Sequence, residues 1–171
     1  MPLLCLILAG GESTRMGQDK ALLFDFVNSL AKELVERNCN VIVACGSQDR
    51  DSWFDSQCWF DPVEADSLGE IVYSFVEQFN EEIQLFPCDM YSLDSNAIDA
   101  ILAQPPGVPV DVDLQEQPTL ARIAKDSQIT KSKSLRELFS KLKRNNLASL
   151  GKRIENFNFP NQIDALNKSN L

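Results

Sequence analysis

Apolar and polar positions along the chain fall into blocks that switch between two periods. Leu3 to Leu8 is an unbroken apolar run, of a length that suits a strand buried on both faces. Val41–Cys45, Gln57–Phe60 and Ile83–Phe86 are β-rich runs of similar length. Each stops at a turn signal: Gly46, Asp61-Pro62 and Pro87-Cys88-Asp89. Between these runs the apolar positions recur at helical spacing. Ala21 to Asn38 carries Leu22, Leu23, Phe26, Val27, Leu30 and Leu34, and Leu68 to Phe79 carries Ile71, Val72, Phe75, Val76 and Phe79 on one face. Asp94 or Ser95 is placed to cap a helix over Asn96–Ala103. Strand and helix alternating in this way predict an α/β fold, a mostly parallel sheet flanked by helices in three layers.

The second half is patterned less regularly. Gln104-Pro105-Pro106-Gly107 reads as a turn. Val108 to Leu114 alternates and predicts a strand with Asp111 and Asp113 on its polar face. Gln117-Pro118-Thr119 leads into a second short strand, Leu120 to Ala124. Ser132 or Ser134 starts a basic amphipathic helix through Leu135, Leu138, Phe139 and Leu142, which Asn145-Asn146 ends. Pro160 opens a last helix with Ile163 and Leu166. With no repeat, linker or low-complexity tract, 171 residues predict a single domain over 1–171.

Composition narrows the chemistry. Apolar content of 44% with 24% charged residues is that of a soluble globule, and no apolar run approaches a membrane span. Leu3–Ala9 is too short for a secretory signal and lacks a basic leader. Cys5, Cys39, Cys45, Cys58 and Cys88 are scattered and form no C-x-x-C pair. They read as reduced thiols of a cytoplasmic protein, mostly packed in strands, rather than as a zinc site. The chain has no histidine, which excludes Ser-His-Asp and Cys-His catalysis and histidine metal sites. Any catalysis must draw on carboxylates, cations and backbone dipoles, with or without a metal ion. Charge is uneven: residues 1–120 hold 5 Lys and Arg against 21 Asp and Glu, whereas residues 121–171 hold 11 against 4. The basic segment either faces a polyanionic second substrate or is a solvated face that balances the acidic half. It carries no nucleic-acid-binding motif, so neither nucleic acid nor membrane is expected as a partner, and a monomer is expected.

The strongest local signal follows the first strand, in Leu8-Ala9-Gly10-Gly11-Glu12-Ser13-Thr14-Arg15-Met16-Gly17-Gln18-Asp19-Lys20. A strand that breaks into two glycines and is followed by two cations is suited to holding phosphates. Glycine lets backbone N–H groups approach the oxygens, and Arg15 and Lys20 neutralise them. The spacing matches neither the Walker A loop nor the G-x-G-x-x-G fingerprint. The arrangement L-x-G-G-x-S-x-R-M-G-x-D-K resembles the signature loop of nucleotidyltransferases with a Rossmann-like fold. Within them it is most similar to the molybdenum cofactor guanylyltransferases, the molybdopterin-guanine dinucleotide biosynthesis protein A family.

The resemblance implies Mg²⁺-dependent transfer of GMP from GTP to the terminal phosphate of molybdopterin or its molybdenum complex, with release of pyrophosphate. It implies that Leu8, Ala9, Gly10 and Gly11 supply backbone contacts to the nucleotide. Lys20 would lie on the α-phosphate or the bridging oxygen, and Arg15 on the departing pyrophosphate. Phe86-Pro87-Cys88-Asp89-Met90 resembles the family's metal-binding segment, making Asp89 the Mg²⁺ ligand; by itself Asp89 could be a turn or capping residue. Asp61 corresponds to an aspartate that contacts the nucleotide, or it is a turn residue. Gln117-Pro118-Thr119-Leu120-Ala121 is similar to a Q/H-P-x-x-A segment, and Asn156-Phe157-Asn158-Phe159-Pro160 to an N-x-N-T-P ending. Asn156 and Asn158 would then hold the pterin, or Asn158 caps the last helix. Residues 1–103 become a nucleotide-binding half and 104–171 an acceptor-binding half. Molybdoenzymes or other cofactor-biosynthesis proteins are the implied partners.

The chain departs from the family pattern at several places. The G-x-P-L segment before the first helix is deleted, Ala44 stands where many relatives have asparagine, Asp66-Ser67-Leu68-Gly69-Glu70 replaces G-P-L-A-G, and Phe159 replaces threonine. These changes leave two alternatives open. One is a related transferase using CTP or another nucleotide with a different phosphorylated acceptor. The other is a non-catalytic nucleotide- or cofactor-binding protein.

Overall fold

The computed structural model describes residues 1–11, 19–157 and 160–169. Its centre is a five-stranded sheet. β1 (Leu4–Leu8) lies between β2 (Asn40–Gly46) and β4 (Ile83–Pro87), both parallel to it, and β3 (Gln57–Phe60) adds outside β2. β6 (Arg122–Ile123) closes the other edge antiparallel to β4. The expected α/β sheet is therefore present, and it is mostly parallel.

β1 is buried along its whole length, which is why it is apolar without alternation. Its residues still divide by pleat. Cys5 and Ile7 join one core with α1 (Phe26–Glu36), α3 (Ser95–Ala103) and a 3₁₀ segment over Ala148–Ile154. Leu4, Leu6 and Leu8 join a second core with α2 (Leu68–Phe79) and α4 (Leu135–Leu138). Register then aligns the strand ends: Leu8 stands beside Ala44 on one side and Pro87 on the other. Everything that follows these residues emerges at one edge of the sheet, where open α/β sheets hold ligands.

The helix predicted over Ala21–Asn38 is broken. Asp19 caps a 3₁₀ segment, Lys20–Asp25, by accepting from the Ala21 N–H at 3.0 Å. Phe24 (φ 58°) and Asp25 (φ 50°) are left-handed, and α1 starts only afterwards. The cause is tertiary. The break lets Phe24 and Phe26 both pack edge-on against Tyr91, at 5.2 and 5.4 Å between ring centroids. Asp94, rather than Ser95, caps α3, accepting from the Ala97 N–H at 2.7 Å.

The second half differs more. The strand predicted over Val108–Leu114 is only β5, Val108–Val110. Asp111 and Asp113 share no strand face, because the Asp111 carboxylate accepts from the backbone N–H groups of Asp113 and Gln115 and folds the chain into a turn. The strand expected from Leu120 to Ala124 is shortened to β6, after a 3₁₀ turn at Pro118–Leu120. The basic helix ends at Leu138, and Asn145-Asn146, expected as its terminus, lies in strand β7 (Arg144–Asn146), parallel to β5. The last helix, α5, does start at Pro160. Cys5, Cys45 and Cys58 lie in strands, Cys39 and Cys88 beside them, and all five are free. Among the described residues no helix is long and apolar enough to cross a membrane.

Candidate active site

A cavity of about 960 Å³ opens at the carboxyl edge of the sheet. Leu8, Gly10 and Gly11 line it from the end of β1, Ala44 and Asp61 from the ends of β2 and β3, and Pro87-Cys88-Asp89 from the end of β4. Lys20 reaches it from the start of the first 3₁₀ segment, and the Gln115–Thr119 turn and Asn156 reach it from the second half. Asp66, Ser67, Leu68 and Arg136 complete the wall beside α2 and α4.

Gly10 is a glycine because of β2. A Cβ at Gly10 would stand 2.9 Å from both the Cα and N of Gly46, itself at φ +91°. The turn after β1 thus lies directly on the turn after β2, and a side chain at Gly10 would force them apart. Ala9, just before it, is fully buried and does not line the cavity. Its N–H donates to Ala44 O at 2.9 Å and its carbonyl accepts from Arg50 at 2.6 Å.

Arg50 is the organising residue that sequence reasoning did not single out. It lies on a 3₁₀ segment after β2 and is 7% exposed. Its guanidinium donates to the carbonyls of Ala9 and Cys45 and pairs with the Asp19 carboxylate, while stacking over Trp53 at 4.6 Å. A buried charge persists only when its donors are met, and here several are. Arg50 therefore ties the glycine turn, β2 and the cap of the Lys20 segment into one unit. Nothing in the local sequence marks it, since the partners come from three separate stretches.

Lys20 and Asp89 meet. Lys20 Nζ donates to Asp89 Oδ2 at 2.9 Å across 69 residues, and both side chains are largely shielded from solvent. Tyr91 holds this arrangement from behind: its hydroxyl donates to the Lys20 carbonyl at 2.7 Å, and its ring packs against Phe157. The Phe157 N–H donates to the Asp89 carbonyl at 3.1 Å, so the C-terminal segment is fastened to the backbone of Asp89. Burial pushes the Cys88 thiol up to about 12, helped by the neighbouring Asp89 charge, so it stays protonated. Asp61 is half-buried, and the loss of solvent raises its carboxyl above the ordinary aspartate value, with Arg50 partly offsetting this.

The polar turn of the second half is built by side chains. Besides the two N–H groups already noted, Asp111 accepts from Gln117 Nε2 at 2.8 Å. Asn156 Nδ2 donates to Gln117 Oε1 at 2.8 Å, and the Asn156 carbonyl accepts from Gln162. The result is a relay from Asp111 through Gln117 to Asn156. Leu8, Gly10, Gly11, Lys20, Asp61, Asp89 and Asn156 thus share one cavity, and Ala9 supports it from behind. Arg15 and Asn158 lie outside the described residues.

Among the described residues no group of three or more Asp, Glu, Cys or His side chains is gathered to hold a metal. Asp89 could supply one carboxylate. That donor set suits Mg²⁺, which commonly takes one or two carboxylates and completes its shell with phosphate oxygens and water.

A turn of glycines at the central strand, a cation and a carboxylate at the carboxyl edge define a nucleotide-handling α/β domain. The MobA-like NTP transferase domain model matches residues 5–149, and the chain belongs to this family. Among solved structures, molybdopterin-guanine dinucleotide biosynthesis protein A from Archaeoglobus fulgidus is similar with a TM-score of 0.71 at 12% identity, covering 99% of this chain and 100% of that one. An Aquifex aeolicus VF5 protein gives 0.64 at 18% identity, covering 92% and 94%. The bifunctional IspDF from Campylobacter jejuni gives 0.65 at 11% identity, covering 96% of this chain and 54% of that one. No curated protein matches the chain in sequence.

Proposed function

We propose that this NTP transferase domain is a molybdenum cofactor guanylyltransferase, moving GMP from GTP to the terminal phosphate of molybdopterin or molybdenum-molybdopterin. The observation that carries the reading is the Lys20–Asp89 pair in a cavity shared with Gly10, Gly11 and Asn156. An oxygen of the acceptor phosphate forms the new bond to the α-phosphorus, the bond to the bridging oxygen of the β-phosphate breaks, and pyrophosphate leaves. The attacking oxygen is already ionised, so no general base is needed and the lack of histidine is no obstacle. Residues 1–103 serve the nucleotide and 104–171 the acceptor.

In this reading the N–H groups of Gly10 and Gly11 face the phosphates, and Leu8 and Asp61 contact the nucleoside. Ala9 keeps the turn in place through its bonds to Ala44 and Arg50. Lys20 exchanges Asp89 for the α-phosphate and offsets the charge that develops there, and Arg15 takes the pyrophosphate. Asp89 would hold Mg²⁺, which when bound would neutralise charge on the triphosphate. Asn156 and Asn158 hold the pterin. Pyrophosphate release, assayed with each nucleoside triphosphate, with and without molybdopterin and Mg²⁺, tests the proposal. Release that requires GTP and molybdopterin supports it; release with CTP and another phosphorylated acceptor would move the assignment within the superfamily. In Asp89→Asn the carboxylate charge is gone, so activity should need much higher Mg²⁺; an unchanged Mg²⁺ titration would make Asp89 a turn residue.

A further inference from the structure

The cavity contains a second cation, on the side away from the glycine turn in sequence. Arg136 lies on α4, is exposed and lines the cavity, and among the described residues its side chain has neither an ion pair nor a hydrogen bond. Every other arginine described here donates to an acceptor or a carboxylate: Arg37, Arg50, Arg122, Arg144 and Arg153. α4 packs against the Pro118–Leu120 turn, which brings Thr119 to the same wall. The Thr119 hydroxyl is buried and is the one buried side-chain polar atom without a partner among the described residues. An orphaned hydroxyl costs free energy unless a ligand or water completes it. Its hydroxyl hydrogen turns freely, so it can donate to an oxygen brought in beside it.

The nearby acidic groups do not cancel the Arg136 charge. Glu116 is taken by Arg144 at 2.6 Å, and Asp89 by Lys20. Asp66 and Asp61 also line the cavity, and among the described residues neither is paired with Arg136. A planar guanidinium and a hydroxyl lining one cavity match a tetrahedral oxyanion, which a guanidinium can grip by two parallel hydrogen bonds.

We infer that Arg136 and Thr119 form a phosphate-monoester subsite, which selects the acceptor by its phosphate and holds that group apart from the nucleotide's own phosphates on the glycine turn. This rests on the proposed transfer to a phosphorylated acceptor, and it assigns the contact on the acceptor side to residues other than Asn156 and Asn158.

Inorganic phosphate is a probe that does not depend on the acceptor's identity. Titrated into the full chain saturated with GTP, without acceptor, it should shift the Arg136 Nε–H and Thr119 amide resonances in nitrogen-15 NMR spectra, and do so saturably. Arg136→Gln should weaken this binding at least tenfold and Thr119→Val a few-fold, with GTP affinity changed less than twofold in both. With molybdopterin as acceptor, Arg136→Gln should raise the acceptor KM and leave the GTP KM in place. Phosphate shifts confined to Gly10, Gly11 and Lys20, or phosphate binding unchanged in Arg136→Gln, would overturn the subsite. If phosphate binds in an Arg136-dependent way while molybdopterin accepts nothing, the subsite stands and the pterin acceptor is wrong.

Discussion

The cavity is built in two ways. On the strand-end side, Gly10, Gly11, Asp61 and Asp89 follow directly from β1, β3 and β4, whose parallel register sets where each emerges. On the turn side, Gln115, Gln117 and Asn156 are held by a relay of side chains that begins at Asp111. The first arrangement is as rigid as the core beneath it, because moving a strand end disturbs close-packed neighbours. The second depends on a few polar contacts over an exposed turn, each modest in net free energy. Under the proposed function the strand-end side would serve the phosphate chemistry and the turn side the choice of acceptor.

That contrast can be broken most directly at Lys20. Lys20→Ala should lower transfer about a hundredfold or more while leaving the fold intact, since it removes charge stabilisation in the transition state. Near-normal turnover in the folded variant would remove Lys20 from the chemistry.

Arg50→Met tests whether the strand-end side is one unit. It leaves the carbonyls of Ala9 and Cys45 and the Asp19 carboxylate without their partner. Denaturant unfolding should show a loss of roughly 2–4 kcal/mol, and nucleotide affinity should fall with it. A loss below about 1 kcal/mol would mean that these three stretches do not depend on Arg50 for their mutual position.

The turn side should respond locally. Asp111→Ala removes the acceptor of three hydrogen bonds, to Asp113, Gln115 and Gln117. Its effect on global unfolding should stay near 1 kcal/mol, because the turn is exposed. The acceptor KM should rise several-fold while the GTP KM stays in place. Equal loss of both affinities would show that the two sides are mechanically coupled and that the contrast is false.

The smallest expected effect is at Asp61. Its folded carboxyl is raised by burial, so the protonated form is favoured by folding. Stability from this group is present below the unfolded aspartate value and is lost as pH rises through the folded one. Asp61→Asn should therefore be slightly more stable than the parent at neutral pH, with the advantage fading below about pH 4. Paired thermal melts across that range measure it. A variant less stable at neutral pH would show that Arg50 outweighs burial at this carboxylate.

Sequence and structure agree most where side-chain pattern and backbone geometry are the same fact. The apolar runs of β1, β2 and β4 mark a parallel sheet buried on both faces, and the Gly10-Gly11 break and Asp89 lie at its carboxyl edge. In the second half that identity fails. β7 is Arg144-Asn145-Asn146, polar throughout and one of only two strands in its sheet, so no apolar period announces it. The turn at Asp111 looks like a continuing strand until its carboxylate is seen to capture two N–H groups.

The sequence by itself determined the succession of the central strands and helices along the chain and the glycine turn after the first strand; Lys20, Asp61 and Asp89 were singled out only through the motif resemblance. Local propensity and hydrophobic period act over neighbouring residues, and the central elements need little more. Only the tertiary structure decided that the first helix breaks at Phe24-Asp25 to seat two rings on Tyr91, that Lys20 meets Asp89, and that Arg50 binds three distant stretches together. Each of these depends on groups far apart in the chain, whose partners exist only once the sheet has aligned its strand ends.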